Sequence, residues 1–133
     1  MFNELKKLLF NSESKYYHFN VAAIIVCNDG TLFKGVNIET SSPAAGICAE
    51  RNALFSAISN GYEKEDFKEL HIMVSDDKSS EPCFICRQAL VDFTSQDMPI
   101  YMYSKDKLEK TLIVKDLTPY PFNEEDLRWN LDL

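Results

Sequence analysis

The sequence predicts an α/β protein folded as a layered sandwich, and three observations carry that expectation. Apolar runs of strand length alternate with segments of helical length along the chain, the order that stacks helices on a sheet. Asn28-Asp29-Gly30 separates the first two runs, and Asp-Gly accommodates the positive φ angles of a tight hairpin. Gly61 and Pro82 stand where one helical segment should stop and the next should start, as the backbone preferences of glycine and proline require.

The elements follow in order. Phe2, Leu5, Leu8 and Leu9 recur at the i, i+3, i+4 spacing of a short amphipathic helix. Val21 to Cys27 reads as a buried strand, and Thr31 to Asn37 returns as its hairpin partner. Cys48 to Asn60 is predicted helical, Leu70 to Val74 is a third strand, and Pro82 to Phe93 is a second long helix. Ile100 to Tyr103 and Leu112 to Val114 are further strands, and Asn123-Glu124-Glu125-Asp126 begins a last short helix. No internal repeat, low-complexity tract or Pro/Gly-rich linker divides the chain, so residues 1–133 are expected to form one domain.

Composition narrows the function classes. A chain of 133 residues with 45% hydrophobic content can close a single core. No stretch approaches the roughly 20 apolar residues of a membrane span, and Met1 to Lys7 is not followed by an apolar run of signal-peptide type. A cytoplasmic protein without membrane contact is expected. The net charge of −7 disfavours nucleic acid as a partner, because such binding is dominated by Lys and Arg neutralising phosphates. A small uncharged substrate suits the acidic balance better.

The chemistry concentrates in two segments, Cys48-Ala49-Glu50 and Pro82-Cys83-Phe84-Ile85-Cys86. Cys83 and Cys86 are one helical turn apart, so their sulfurs share a face at the start of a helix. Cys48 would come from the start of the other helix. Zinc that does chemistry usually takes three protein ligands and leaves the fourth position to water or substrate, and Cys48, Cys83 and Cys86 supply three. Glu50 is spaced to serve that open side as a proton carrier rather than to bind the metal. Three thiolates load a dication with negative charge. The positive ends of both helices favour thiolate, and Arg51 and Arg87, each close to a ligand, can drain charge by donating to sulfur. The fourth cysteine, Cys27, lies in an apolar run and reads as a small core residue. His18 and His71 also read as structural.

Beyond the metal motif, Gly35-Val36-Asn37-Ile38-Glu39, Gly46 to Leu54, Cys86-Arg87-Gln88 and Pro119 to Phe122 resemble the small homotetrameric cytidine deaminases, from about Tyr16 to about Leu127. The resemblance implies a three-layer-type sandwich with a five-stranded mixed sheet and both zinc-bearing helices on one face. It implies one zinc per chain, and hydrolytic deamination of cytidine and deoxycytidine to uridine and deoxyuridine plus ammonia, in pyrimidine salvage. It also implies a homotetramer whose sites are shared between chains. Residue by residue, it assigns Glu50 to proton transfer, Asn37 and Glu39 to the ribose, Phe19 to packing on the base, the Ala49 backbone N–H to the base carbonyl, and Phe122 to a neighbouring chain's site.

Some positions depart from the family pattern: Lys15-Tyr16-Tyr17 where Pro-Tyr-Ser is usual, Ala22 and Phe84 where glycine is usual, and Pro43 where a tyrosine reaches the adjoining subunit. These bear on pocket shape and subunit contact more than on the reaction. Competing readings are deamination of another cytosine compound such as an aminonucleoside antibiotic, editing of RNA or DNA, and a non-catalytic zinc module. Asn37 and Glu39 oppose the first, the acidic charge opposes the second, and Glu50 opposes the third.

Overall fold

Strand β1, Val21–Cys27, is the spine of the structure, because all but one of its residues are buried. The computed structural model describes residues 1–127; residues 128–133 of the expected single domain lie outside the described residues. Around β1 runs a five-stranded mixed sheet in the order β2-β1-β3-β4-β5, with β2 Leu32–Val36, β3 Phe67–Val74, β4 Pro99–Tyr103 and β5 Leu108–Ile113. β1 pairs antiparallel with both β2 and β3, β3 and β4 are parallel, and β5 closes antiparallel to β4. The parallel pair needs a crossover, and helix α3, Phe84–Phe93, lies between β3 and β4 in the chain to supply it.

The period of two along each strand splits the core in two. Val21, Ala23, Ile25 and Cys27 face one side with Leu70, Ile72, Ile100 and Met102, and there they meet Ala53, Leu54 and Ala57 of helix α2, Ala49–Ser59. Ala22, Ile24, Met73 and Tyr103 face the other side, under Leu5 of helix α1, Phe2–Leu9. The three layers and the mixed sheet are those expected. Burying Leu54 alone contributes about 1.5–3 kcal/mol.

Two glycines fix local geometry. Gly30 turns the β1–β2 hairpin at φ +89°, with its N–H donating to the Cys27 carbonyl at 2.9 Å. Gly35 lets α2 lie against β2, since a Cβ there would stand 2.4 Å from the Ala53 nitrogen and 2.6 Å from the Ala49 oxygen. That approach seats the start of α2, and with it the Cys48-Ala49-Glu50 segment.

Several boundaries differ from expectation for identifiable reasons. β3 begins at Phe67 rather than Leu70, because a bulge at Val26/Cys27 keeps the pairing going towards its start. β5 begins at Leu108, in an exposed stretch that carries no apolar run. Val114 opens a four-residue helix, α4 Val114–Leu117, instead of ending the strand; the Ile113 N–H is bonded to the Asp116 carboxylate at 3.1 Å. Pro82 precedes α3 by two positions, and Cys83 is the N-cap. The expected last helix is a 3₁₀ turn over Glu124–Asp126, with the Asn123 side chain accepting from the Glu125 N–H.

Candidate metal centre

Both cysteine motifs sit at helix starts. Cys48 is the N-cap of α2 and Cys83 the N-cap of α3, each extended (ψ 153° and 163°) and each without a side-chain capping bond. Their sulfurs are therefore free to point away from the helices. Cys48 Sγ and Cys83 Sγ lie 3.7 Å apart, and with Cys86 Sγ all three fall within 4.8 Å of one another. Tetrahedral zinc with Zn–S bonds of about 2.3 Å requires sulfur separations of about 3.8 Å, so the three fit one zinc ion. Cys83 is exposed and Cys48 half-buried, while Cys86 is fully buried.

The two helix-borne thiols Cys48 and Cys86 are shifted in opposite directions. Hydrogen bonding from Cys86 and from the Arg51 guanidinium brings Cys48 down to about 5, whereas the neighbouring Cys48 sulfur, together with burial, pushes Cys86 well up. These contacts favour the thiolate at Cys48 and disfavour it at Cys86. Glu50 is 7% exposed, and burial pushes its carboxyl up to about 7. Buried charge of this kind is sustained by a positive partner.

The two arginines behave differently. Arg51 donates to Cys48 Sγ at 3.7 Å, and its Nε is buried with no hydrogen-bond partner among the described residues. Arg87 directs Nε to the Pro82 carbonyl at 2.7 Å and an Nη to the Leu117 carbonyl at 3.1 Å, with its guanidinium 4.4 Å over the Phe84 ring. It thereby ties the residue before Cys83 to the end of α4, and its recorded donors serve carbonyls rather than sulfur.

A cavity of about 450 Å³ reaches the cluster at Cys48 and is lined also by Arg51, Asn37, Glu39, Tyr16 and Tyr17. That is within the 300–1,000 Å³ of small-molecule sites. Asn37 and Glu39 follow β2, joined to the 13–14 segment by an isolated bridge between Glu13 and Ile38. Asn37 Oδ1 accepts from the Val21 N–H at 2.9 Å and from the Ser12 hydroxyl, and its Nδ2 donates to the Phe19 carbonyl at 2.7 Å. Glu39 accepts from the Tyr16 and Tyr17 N–H groups at 3.0 and 3.1 Å and from the Ser14 hydroxyl, which together hold its carboxyl below the usual range. Phe19 is exposed and is not among the residues that line this cavity. Ala49 is fully buried at the first turn of α2, where backbone N–H groups lack intrahelical partners.

Phe122 lies elsewhere. It lines a second cavity with Phe84, Arg87 and Gln88, its carbonyl accepting from Gln88 Nε2 at 2.8 Å. Tyr16 and Tyr17, noted above only as departures from a pattern, are pocket residues, and the cue available for them was their place three and two positions before Phe19. Ser14 was missed; its partner Glu39 is 25 positions away, beyond any local signal. Cys27 is buried and pushed up to about 11, first by burial and then by Asp29 and Asp66, as an inert core thiol would be. His71 is buried between Tyr103 Oη (2.8 Å) and Glu69 Oε2 (2.6 Å) and stacked on Tyr101.

A fold with three convergent thiols at two helix starts and a buried carboxyl beside them defines a zinc hydrolase-type centre. The chain belongs to the cytidine and deoxycytidylate deaminase family, whose zinc-binding region matches residues 2–102. A cytidine deaminase of Sporosarcina psychrophila is 36% identical over 127 residues, covering 95% of this chain and 91% of that one. A probable cytidine deaminase of Dictyostelium discoideum is 37% identical over 114 residues, 84% of this chain and 74% of that protein. The crystal structure of a cytidine deaminase from Burkholderia pseudomallei superposes with a TM-score of 0.85 at 29% identity, covering 91% and 95% of the two chains.

Proposed function

We propose that this protein is a zinc-dependent cytidine deaminase that hydrolyses cytidine and deoxycytidine to uridine and deoxyuridine with release of ammonia. The observation that carries the reading is the meeting of Cys48, Cys83 and Cys86 within 4.8 Å beside the buried carboxyl of Glu50. The relatives named cytidine deaminases over most of the chain support it.

Cys48, Cys83 and Cys86 hold the metal, and Arg51 offsets their charge by its contact to Cys48. Zinc held there would supply the acidification that lets a water attack at neutral pH. Glu50 takes the proton of the attacking water and delivers it to N3 of the pyrimidine as the oxygen bonds to C4. Glu50 then takes the second proton from the oxygen now bonded to C4 and delivers it to the amine as the C4–N bond breaks, leaving the C4 carbonyl and ammonia. The Ala49 N–H holds the base carbonyl, Phe19 packs on the base, and Asn37 and Glu39 hold the ribose. Arg87 acts at a distance from the sulfurs, by fixing Pro82 ahead of Cys83.

Residues 1–133 act as one domain, working in the cytoplasm in pyrimidine salvage, with neither nucleic acid nor membrane as partner. The active species is a homotetramer in which Phe122 of one chain closes a neighbour's pocket. This assembly is supported by the exposure of Phe84, Ile85 and Phe93 along α3 and by the absence of Phe122 from the lining that holds Cys48.

Zinc stoichiometry measured together with cytidine turnover tests the proposal. About one zinc per chain and activity lost to a chelator are expected. Full activity in metal-stripped protein overturns it.

A further inference from the structure

Between α1 and β1 the chain lines the pocket with Tyr16 and Tyr17, and one buried side chain is central to its placement. Ser14 is 7% exposed although Glu13 and residues 15–19 around it are exposed. Its hydroxyl donates to Glu39 Oε2 and accepts from the Phe19 N–H at 2.9 Å. The Tyr16 and Tyr17 N–H groups close on the other oxygen, Oε1. The His18 N–H donates to the Ser14 carbonyl at 2.8 Å, with His18 at φ 55°, a conformation uncommon outside glycine. Glu13 is stitched to the same segment as Glu39, through Glu13 N–H to Asn37 O at 3.1 Å and Glu39 N–H to Glu13 O at 2.8 Å.

An ionised carboxylate offers about four acceptor positions. At Glu39 two are taken on Oε1 and one on Oε2. Among the described residues one position remains, on the oxygen that Ser14 orients. Such a carboxylate is set to accept from a single further hydroxyl, and the same serine fixes the backbone of Phe19.

We propose that Ser14 is the positioning residue of the sugar end of the pocket, aiming the remaining acceptor of Glu39 at one ribose hydroxyl while it seats the Tyr16–Phe19 loop. The inference rests on the nucleoside reading given above. It goes beyond that reading by naming a residue that touches no substrate and by limiting Glu39 to one hydroxyl partner.

The test compares wild type with Ser14→Ala, Ser14→Gly and Ser14→Thr on cytidine and on its 3′-deoxy analogue, with zinc content and thermal melting measured on each. The two variants without a hydroxyl are expected to raise KM for cytidine about tenfold or more, as for a lost hydrogen bond to a charged group, with kcat and zinc content unchanged. The analogue should suffer little further loss, and Ser14→Thr, which keeps the hydroxyl, should restore KM. Unchanged KM for cytidine overturns the assignment, as does an equal loss on both substrates or a fall in kcat alone. So does failure of both hydroxyl-free variants to fold, which makes Ser14 part of the framework. If wild type turns over neither compound, the nucleoside reading itself fails and takes this assignment with it; active wild type with an indifferent Ser14→Ala leaves that reading standing.

Discussion

Gly35 on β2 and Ala53 on α2 meet backbone to backbone, leaving no room for a side chain between them: a Cβ at Gly35 would come within 2.4 Å of the Ala53 nitrogen. Gly35→Ala must therefore push α2 off the sheet. Overpacking of this kind typically costs about 1–3 kcal/mol, and because Cys48 begins α2, zinc affinity should fall together with the denaturation midpoint. A variant that melts and binds zinc like wild type would show that α2 is not located by this contact.

Glu50→Ala should retain fold and zinc while turnover collapses. Positioned acid–base groups contribute about 10²–10⁴-fold, and Glu50 handles a proton more than once per cycle. The measurement is kcat alongside metal content in the same preparation. More than about a tenth of wild-type kcat would assign the proton transfers to another group.

Phe122 sits against α3 of its own chain, in a cavity that shares no lining residue with the one reaching Cys48. If it serves a neighbour, Phe122→Ala and Glu50→Ala chains, each impaired alone, should regain activity when co-assembled, because a Phe122→Ala chain borrows the missing aromatic from its Glu50→Ala neighbour. Absence of recovery in a verified mixed oligomer removes Phe122 from shared sites, and a fully active monomer removes the shared arrangement altogether.

His71 gives a pH dependence with a definite sign. Burial lowers it below its ordinary value, and Glu69 opposes the shift without cancelling it. The folded chain thus holds the proton less readily than the unfolded chain, whose imidazole titrates near ~6.5. The contribution of His71 is complete above that value and is lost as pH falls through it and then through the depressed folded value. Melting temperatures of wild type should fall more steeply from pH 7 to pH 5 than those of His71→Gln. Parallel curves would place the acid sensitivity elsewhere.

The parts of the fold that were readable in the chain are those set by local chemistry. Asp29-Gly30 marks its hairpin because the backbone demands a positive φ, and Cys48-Ala49-Glu50 with Pro82-Cys83-x-x-Cys86 marks the site because metal chemistry fixes ligand type and spacing. What escaped depends on partners far along the chain. β5 shows mostly charged and polar residues to solvent and is defined by pairing with β4. A helix as short as Val114–Leu117 has too few turns to display periodicity. The direction of Arg87 was open because two carbonyls, Pro82 and Leu117, compete with sulfur for its donors and lie closer to hand. Ser14 looks like any loop serine until Glu39 is brought to it.

Cysteine at both N-caps, without a side-chain capping bond, has a consequence for what kind of stability this fold can have. Ser, Thr, Asp or Asn at such a position strengthens a helix by about 0.5–2 kcal/mol, and neither α2 nor α3 has that help. Packing at Gly35 and the Arg87 contacts hold the two starts in place, and a metal joining the thiols would add the tie that side-chain caps do not. The protein is thus tuned to be a less stable fold when empty than its architecture permits. Asp at position 48 would give a sturdier helix and a dead site, the exchange of stability against activity that functional positions commonly embody. A search for more thermostable variants that ignored turnover would be drawn to the two residues the reaction can least spare.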